Sequence, residues 1–316
     1  MRCSIRGCPS VPDASAPAVA AAAEPRASRA GLALQNAWRF LRGEPFAVVG
    51  GAIYAVIVFV AIFADRIAPY DPNAMLRVNH RLAKYLPISA EHWLGTTADA
   101  RDVLSQLIFG TRAALEVGLT AAFCVVAIGT LLGLLAGYLG GWTDKIIIRL
   151  SDIVLGLPFL PALLCIVALT RPATLTIVLT VGALLWPNTA RVIRAQVLSL
   201  RERAWVDAAR VTGCSSARIM FVHVLPQVLP LAALYGSVAI GWAILAEAAA
   251  SFLGFGDPTV ISWGVMLENA YANQALSLGA WNWFVPPGVA ILSMVLAGFL
   301  IARGSEKLLF PKLADQ

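Results

Sequence analysis

The sequence predicts an all-α membrane protein with six transmembrane helices. Of its 316 residues, 59% are apolar and 13% charged, against about 45–50% and about 25% in an ordinary soluble domain. Several charge-free stretches reach the roughly 17 to 25 residues that a helix needs to cross about 30 Å of hydrocarbon. The Lys and Arg residues sit beside those stretches, where they orient spans in a bilayer.

Residues Met1–Arg29 are rich in Ala, Pro and Ser and have no continuous apolar run, so they read as a disordered tail and not as a cleaved signal peptide. Residues 1–45 as a whole form that tail and the approach to the membrane. Span one runs from Phe46 to Ala64 without a charge and is closed by Asp65 and Arg66. From Asp65 to Arg112, mixed charge and Pro69, Pro72 and Pro87 predict a long extramembrane loop. Residues 46–112 are thus a first helix and its loop, 113–303 a core, and 304–316 a polar tail.

Span two lies within Ala113–Leu139, and the turn Gly140–Lys145 separates it from span three at Ile146–Leu169. Span four follows at Pro172–Ala190. An Arg-rich stretch, Arg191–Pro230, precedes and overlaps span five at Gln227–Phe252, and span six covers Phe284–Ala302. An even number of spans puts both termini on one side. Most of the 24 Lys and Arg fall in the N-terminal tail, the loops after spans two and four, and the C-terminal tail, which makes that side cytoplasmic. The long first loop carries six more and weakens the contrast, although long loops translocate with less regard to charge.

The net charge of +6 belongs to these membrane-flanking residues and does not indicate nucleic-acid binding. Cys3, Cys8, Cys124, Cys165 and Cys214 show no paired-ligand spacing, so neither a disulfide framework nor a metal site is expected. His80, His92 and His223 are scattered, and no nucleophile motif is present.

Within the Arg-rich stretch, Arg201–Thr212 has good helix formers, Gly213 suits a left-handed stop, and Ser215 or Ser216 can cap a second helix. Pro226 and Pro230 are expected to open span five with kinks or a sharp entry. A solvated loop that only enforces topology would need no such design. Small residues at Ala208 and Ala209 let another protein approach closely.

The order Asp207, Ala208, Ala209, Gly213, Leu225, Pro226 resembles the "EAA" loop of permease subunits of binding-protein-dependent ABC importers. "APYDPN" (68–73), "HWLGTTADARDVLSQLIFGTR" (92–112), "SLRER" (199–203), "ILAEAAASFLGFG" (244–256) and "SWGVML" (262–267) resemble the C-type subunits of the dipeptide and oligopeptide branch. The likeness covers Arg42 to Leu313. Asp207 stands where Glu is usual, Ala98 and Ala100 where larger or glycine residues are common, and Glu116 where a neutral residue is usual.

The resemblance implies the type I ABC importer permease fold, in the bacterial inner membrane, with a cytoplasmic coupling loop at 191–226. Arg203, Asp207, Ala208, Ala209, Gly213, His223, Leu225 and Pro226 would then dock an ATPase subunit. The implied partners are a homologous permease in a heterodimer, two ATP-binding subunits, a periplasmic solute-binding protein and membrane lipid. The implied cargo is a di- or oligopeptide, with nickel, glutathione and oligosaccharides as branch alternatives. The residues agree with that division of labour. The four lysines follow Ala83, Asp144, Glu306 and Pro311, so no phosphate-binding Gly-Lys-Ser/Thr exists. ATP and Mg are therefore expected on partner subunits, with no cofactor on this chain.

Glu247 lies inside span five, where a carboxylate costs about 2.5–3.5 kcal/mol, so it either packs against protein or lines a water-filled path. Arg149 and Asp152 are spaced to pair on one helix face near the start of span three. Trp263, Trp281, Trp283 and Phe284 are expected at the periplasmic interface. An ion-driven secondary transporter would need grouped ionisable residues at mid-membrane and internal repeats, and a membrane-embedded enzyme would need a nucleophile or metal motif. Neither signature is present.

Overall fold

The computed structural model describes residues 45–78, 80–170 and 173–309. The expected tail 1–45 lies outside them except for Pro45, as does the chain beyond Leu309. The elements are α1 (Pro45–Ile62), α2 (Ala64–Ile67), a hairpin of β1 (Arg77–Val78) and β2 (Arg81–Leu82), α3 (Val103–Leu139), α4 (Gly141–Leu155), α5 (Phe159–Leu169), α6 (Thr174–Arg201), α7 (Ala204–Val211), α8 (Ser216–Phe255), α9 (Trp263–Ala272) and α10 (Trp281–Leu309). Among the described residues, α1, α3, α6, α8 and α10 are long and apolar enough to cross a membrane singly.

The expected third span is not one straight helix. It is the pair α4 and α5, bent by 88° where Gly156, Leu157 and Pro158 interrupt the hydrogen-bond ladder. Helix direction shows that the pair nevertheless makes a crossing. Gly129, Gly133 and Gly137 of α3 face Thr189, Ala190 and Val197 of α6 in rising order, so α3 and α6 run parallel. The chain between them must return from one end of the bundle to the other.

Glycine makes that parallel seam. A Cβ added at Gly133 would lie 2.5 Å from the Ala190 carbonyl oxygen, and one at Gly129 would lie 2.6 Å from Thr189 Cβ. Glycines one turn apart let two membrane helices pack backbone to backbone, where dispersion replaces the hydrophobic drive that lipid cannot supply. The other seams are antiparallel. Gly50 and Gly304 set α1 against α10 at Ala297 and Ala47, Gly298 sets α10 against Ser237 of α8, and Gly118 sets α3 against Ile240 and Ile244 of α8. The start of α1 and the end of α10 therefore share an end of the bundle with the ends of α3 and α6 and the start of α8.

Three helices outrun their hydrophobic segments. Helix α3 begins at Val103, inside what hydropathy reads as loop, because Asp102 caps it: the Asp102 carboxylate accepts from Ser105 N (2.8 Å) and Ser105 Oγ (2.7 Å). Helix α6 continues past Ala190 through Arg201, and α8 starts eleven residues before Gln227, at Ser216. Pro226 stands at the start of the α-helical part of α8. A π-helical segment at Ile219–Val224 precedes it, with Leu225 N bonded to the Met220 carbonyl, and this wider turn accommodates the proline ring.

The first loop is fastened to the bundle. His92 and Asp102, both buried, meet at 3.1 Å (Nδ1 to Oδ1), and Asn282 Nδ2 donates to the Leu94 carbonyl at 2.7 Å. Arg112 reaches back to α2 and the end of α1, donating to both Asp65 oxygens (3.1 and 2.7 Å) and to the Ala61 carbonyl (2.8 Å). Its hydrogen bonds hold the Asp65 carboxyl below the usual carboxylate range.

Candidate functional site

The Arg-rich stretch is a helix end, a short helix and a helix start. Arg191 and Arg194 lie on α6, and each fastens α4. Arg191 Nη2 donates to Asp152 Oδ1 at 2.6 Å, and Arg194 Nη2 to Asp144 Oδ2 at 2.6 Å. Arg201 points its guanidinium at the Gly137 and Tyr138 carbonyls, both 3.4 Å away, at the C-terminus of α3, where a cation meets the negative end of the helix dipole. These arginines thus join helices as well as flanking them.

Helix α7 sits across this end on one buried side. Val206 is fully buried in a cluster with Leu200, Ile219, Met220 and Val224, and Trp205 and Ala209 pack at its edge. The Trp205 and His223 rings meet edge to face, with centroids 6.4 Å apart. The opposite face is open: Arg203, Asp207 and Ala208 are exposed, and Val211 is 88% exposed. Asp207 pairs with Arg210 at 3.1 Å, one turn on, a surface ion pair contributing about 0–1 kcal/mol.

The stop after α7 is a Schellman motif. Gly213 N donates to Arg210 O and Cys214 N to Ala209 O, both at 3.0 Å, with Gly213 at φ +82°. A side chain there would meet no atom within 4 Å, so the glycine is required by backbone conformation and not by crowding. Ser215 then caps the following helix, accepting from Arg218 N at 3.3 Å. His223 and Pro226 are exposed and Leu225 half-buried on the first turns of α8. The structure therefore brings Arg203, Asp207, Ala208, Ala209, Gly213, His223, Leu225 and Pro226 to one end of the bundle, most of them facing outward.

Two other sequence expectations are corrected. Arg149 and Asp152 do not pair: Asp152 is taken by Arg191, which approaches from the neighbouring helix, and Arg149 is exposed with no ion pair among the described residues. Trp263 and Trp283 are 2% exposed core residues, and the Trp263 indole donates to the Leu107 carbonyl at 3.0 Å. Trp281 is 58% exposed and Phe284 half-buried.

Glu247 is 7% exposed and accepts from Ser251 Oγ at 2.7 Å. Ser251 is wedged in turn between Gly256 and Gly264, whose added Cβ atoms would fall 2.5 Å from its Oγ and 2.7 Å from its Cβ. This joint fastens the end of α8 to the start of α9. No group of three or more His, Cys, Asp or Glu residues able to hold a metal occurs among the described residues.

Residues 129–315 match the binding-protein-dependent transport system inner membrane component family, and residues 33–87 match the N-terminal TM domain of oligopeptide transport permease C. The chain is 36% identical over 295 residues to the di/tripeptide transport system permease protein of Pseudomonas aeruginosa, covering 89% of this chain and 93% of that one. It is 34% identical over 284 residues to the dipeptide transport system permease protein of Haemophilus influenzae (89% and 95% covered). It is 33% identical over 280 residues to the glutathione transport system permease protein of Pectobacterium atrosepticum (87% and 90% covered).

Proposed function

Because this chain belongs to the family of binding-protein-dependent transport system inner membrane components, we propose that it is the C-type permease subunit of an ATP-driven peptide importer. It is a multi-pass inner-membrane transport subunit and not an enzyme. Its cargo is a di- or oligopeptide delivered by a periplasmic binding protein. The relatives named for dipeptides and di/tripeptides support that class, and glutathione, the cargo named for another, is itself a tripeptide.

The observation that carries the reading is the outward face of α7. A short helix is seated by Val206, stopped by Gly213, and leaves Asp207, Ala208 and Val211 to the outside. A topology signal needs charge alone, whereas this arrangement offers a shaped knob with small residues for close approach. In this reading the knob enters a groove of an ATP-binding subunit on the cytoplasmic side, where both termini also lie. Two such subunits bind ATP and Mg, and a homologous permease completes the passage. No Gly-Lys-Ser/Thr lies in this chain, which agrees with hydrolysis elsewhere.

Purification from the native host should bring a second permease and ATP-binding subunits with this chain. Proteoliposomes of the assembly should take up labelled di- and tripeptides only with ATP and the binding protein present. Transport by the isolated chain without ATP would overturn the proposal.

A further inference from the structure

Helix α4 buries one side and leaves the other open. Ile147 is buried against Ala136 of α3 and Trp186 and Ala190 of α6. On the open side Trp142, Lys145, Ile146, Arg149, Leu150 and Ile153 recur at helical spacing and border a groove of about 1000 Å³. Trp142 is 78% exposed, Ile146 62% and Ile153 66%.

The depth of this face follows from the ion pairs of α4. Arg191 and Arg194 are the first charges after the apolar segment of α6, so they stand where hydrocarbon gives way to headgroups. They hold Asp152 and Asp144, which brings α4 to the same level. The two carboxylates stand about 12 Å apart along α4 and their arginines about 4.5 Å apart along α6, so α4 lies across α6 and not along it. The 88° bend then turns the chain into α5.

At that level the charges do not balance. Asp144 and Asp152 also border the groove, but each is taken by an arginine of α6. Lys145 and Arg149 are left one turn apart, exposed and without an ion pair among the described residues. Like charges at this spacing repel unless an anion lies between them. Lys145 Nζ is 5.3 Å from the centroid of the Trp142 ring, a pairing suited to the membrane interface.

We propose that this face is a site for an anionic phospholipid of the phosphatidylglycerol or cardiolipin class, its phosphate between Lys145 and Arg149 and its acyl chains along Ile146, Leu150 and Ile153. The phosphate oxygens supply the acceptors that both cations lack, whereas a zwitterionic lipid brings its own cation to compete. A second protein on this face would have to desolvate both cations and furnish carboxylates for them. A lipid held here braces α6 through its two ion pairs with α4, close to the end from which α7 springs. Which leaflet supplies the lipid rests on the orientation proposed above; the site itself does not.

The test uses the whole transporter in nanodiscs of phosphatidylcholine, with a trace of either phosphatidylglycerol or phosphatidylcholine carrying a diazirine high on one acyl chain. After irradiation, peptides spanning α4 should carry the phosphatidylglycerol adduct well above the phosphatidylcholine one. Lys145→Gln combined with Arg149→Gln should lower the phosphatidylglycerol adduct on α4 about tenfold or more, and Arg149→Lys should retain it. Arg303→Gln, at an exposed cation on α10, should leave it unchanged. Equal labelling by the two lipids in the wild type, which needs no variant to fold, would overturn the proposal. So would α4 peptides free of adduct, as from a face covered by the second permease, or a double variant that labels like the wild type. A preparation that labels on α4 yet contains no ATP-binding subunit would sink the importer reading and keep the lipid site.

Discussion

The α3–α6 seam and the turn after α7 both depend on glycine, for opposite physical reasons. At Gly133 the backbone is ordinary helix and the space is gone: the Ala190 carbonyl occupies the position of any side chain. At Gly213 the space is empty and the backbone is unusual, at φ +82°. The first glycine holds the bundle together, and the second shapes a feature at its surface. Stability and coupling should therefore separate cleanly between them.

The strongest break is Gly133→Leu. Forcing a side chain into the seam should cost about 3 kcal/mol or more, read as a large fall in the detergent unfolding temperature and in membrane yield. A variant of normal stability would show that the parallel seam is not a tight contact. Next is Gly213→Val. Adopting the left-handed turn costs a β-branched residue about 1–2 kcal/mol, so the chain should still insert, while ATP-coupled uptake is lost. Unchanged uptake would remove α7 from the coupling role. Val206→Ala sharpens the distinction by loosening the seat and leaving the outer face intact. It should lower stability by about 1 kcal/mol and reduce, without abolishing, the ATPase stimulation caused by loaded binding protein.

The smallest effect concerns pH. The carboxyl of Asp65 is held below its ordinary range by Arg112, so its contribution is present above the unfolded value of about 4 and lost as pH falls through the folded value. The melting-temperature difference between wild type and Asp65→Asn should be constant from about pH 8 to about pH 5 and shrink below about pH 4. A difference that grew on acidification would contradict the sign.

Much of this architecture is legible in the sequence, because a membrane span needs only length and an absence of charge, and both are local. Helix ends are legible when the cap is local too. Asp102 with Ser105 is such a signal, but hydropathy drowns it, so Val103–Arg112 reads as loop. Gly213 announces its left-handed turn because few other residues suit one. Pairings across the bundle are another matter. Arg149 and Asp152 have the right spacing, yet Arg191 reaches Asp152 from a helix 39 positions away, and nothing local records that competition. Trp263 and Trp283 look interfacial because tryptophan often is, whereas Gly110 on α3 leaves room for the Trp263 ring to lie against the helix.

The long run of α8 has a mechanical meaning. From Ser216 to Ser251, short of the non-helical Gly254 (φ +85°), it makes a rod about 50 Å long, which begins beside Val206 and ends at the Glu247–Ser251 joint. Gly236 and Gly241, near its midpoint, press it against Val126 and Val295, a natural fulcrum. A tilt of about 5° about that point carries each tip some 2 Å, in opposite directions. A pull on one tip would then be a push at the other.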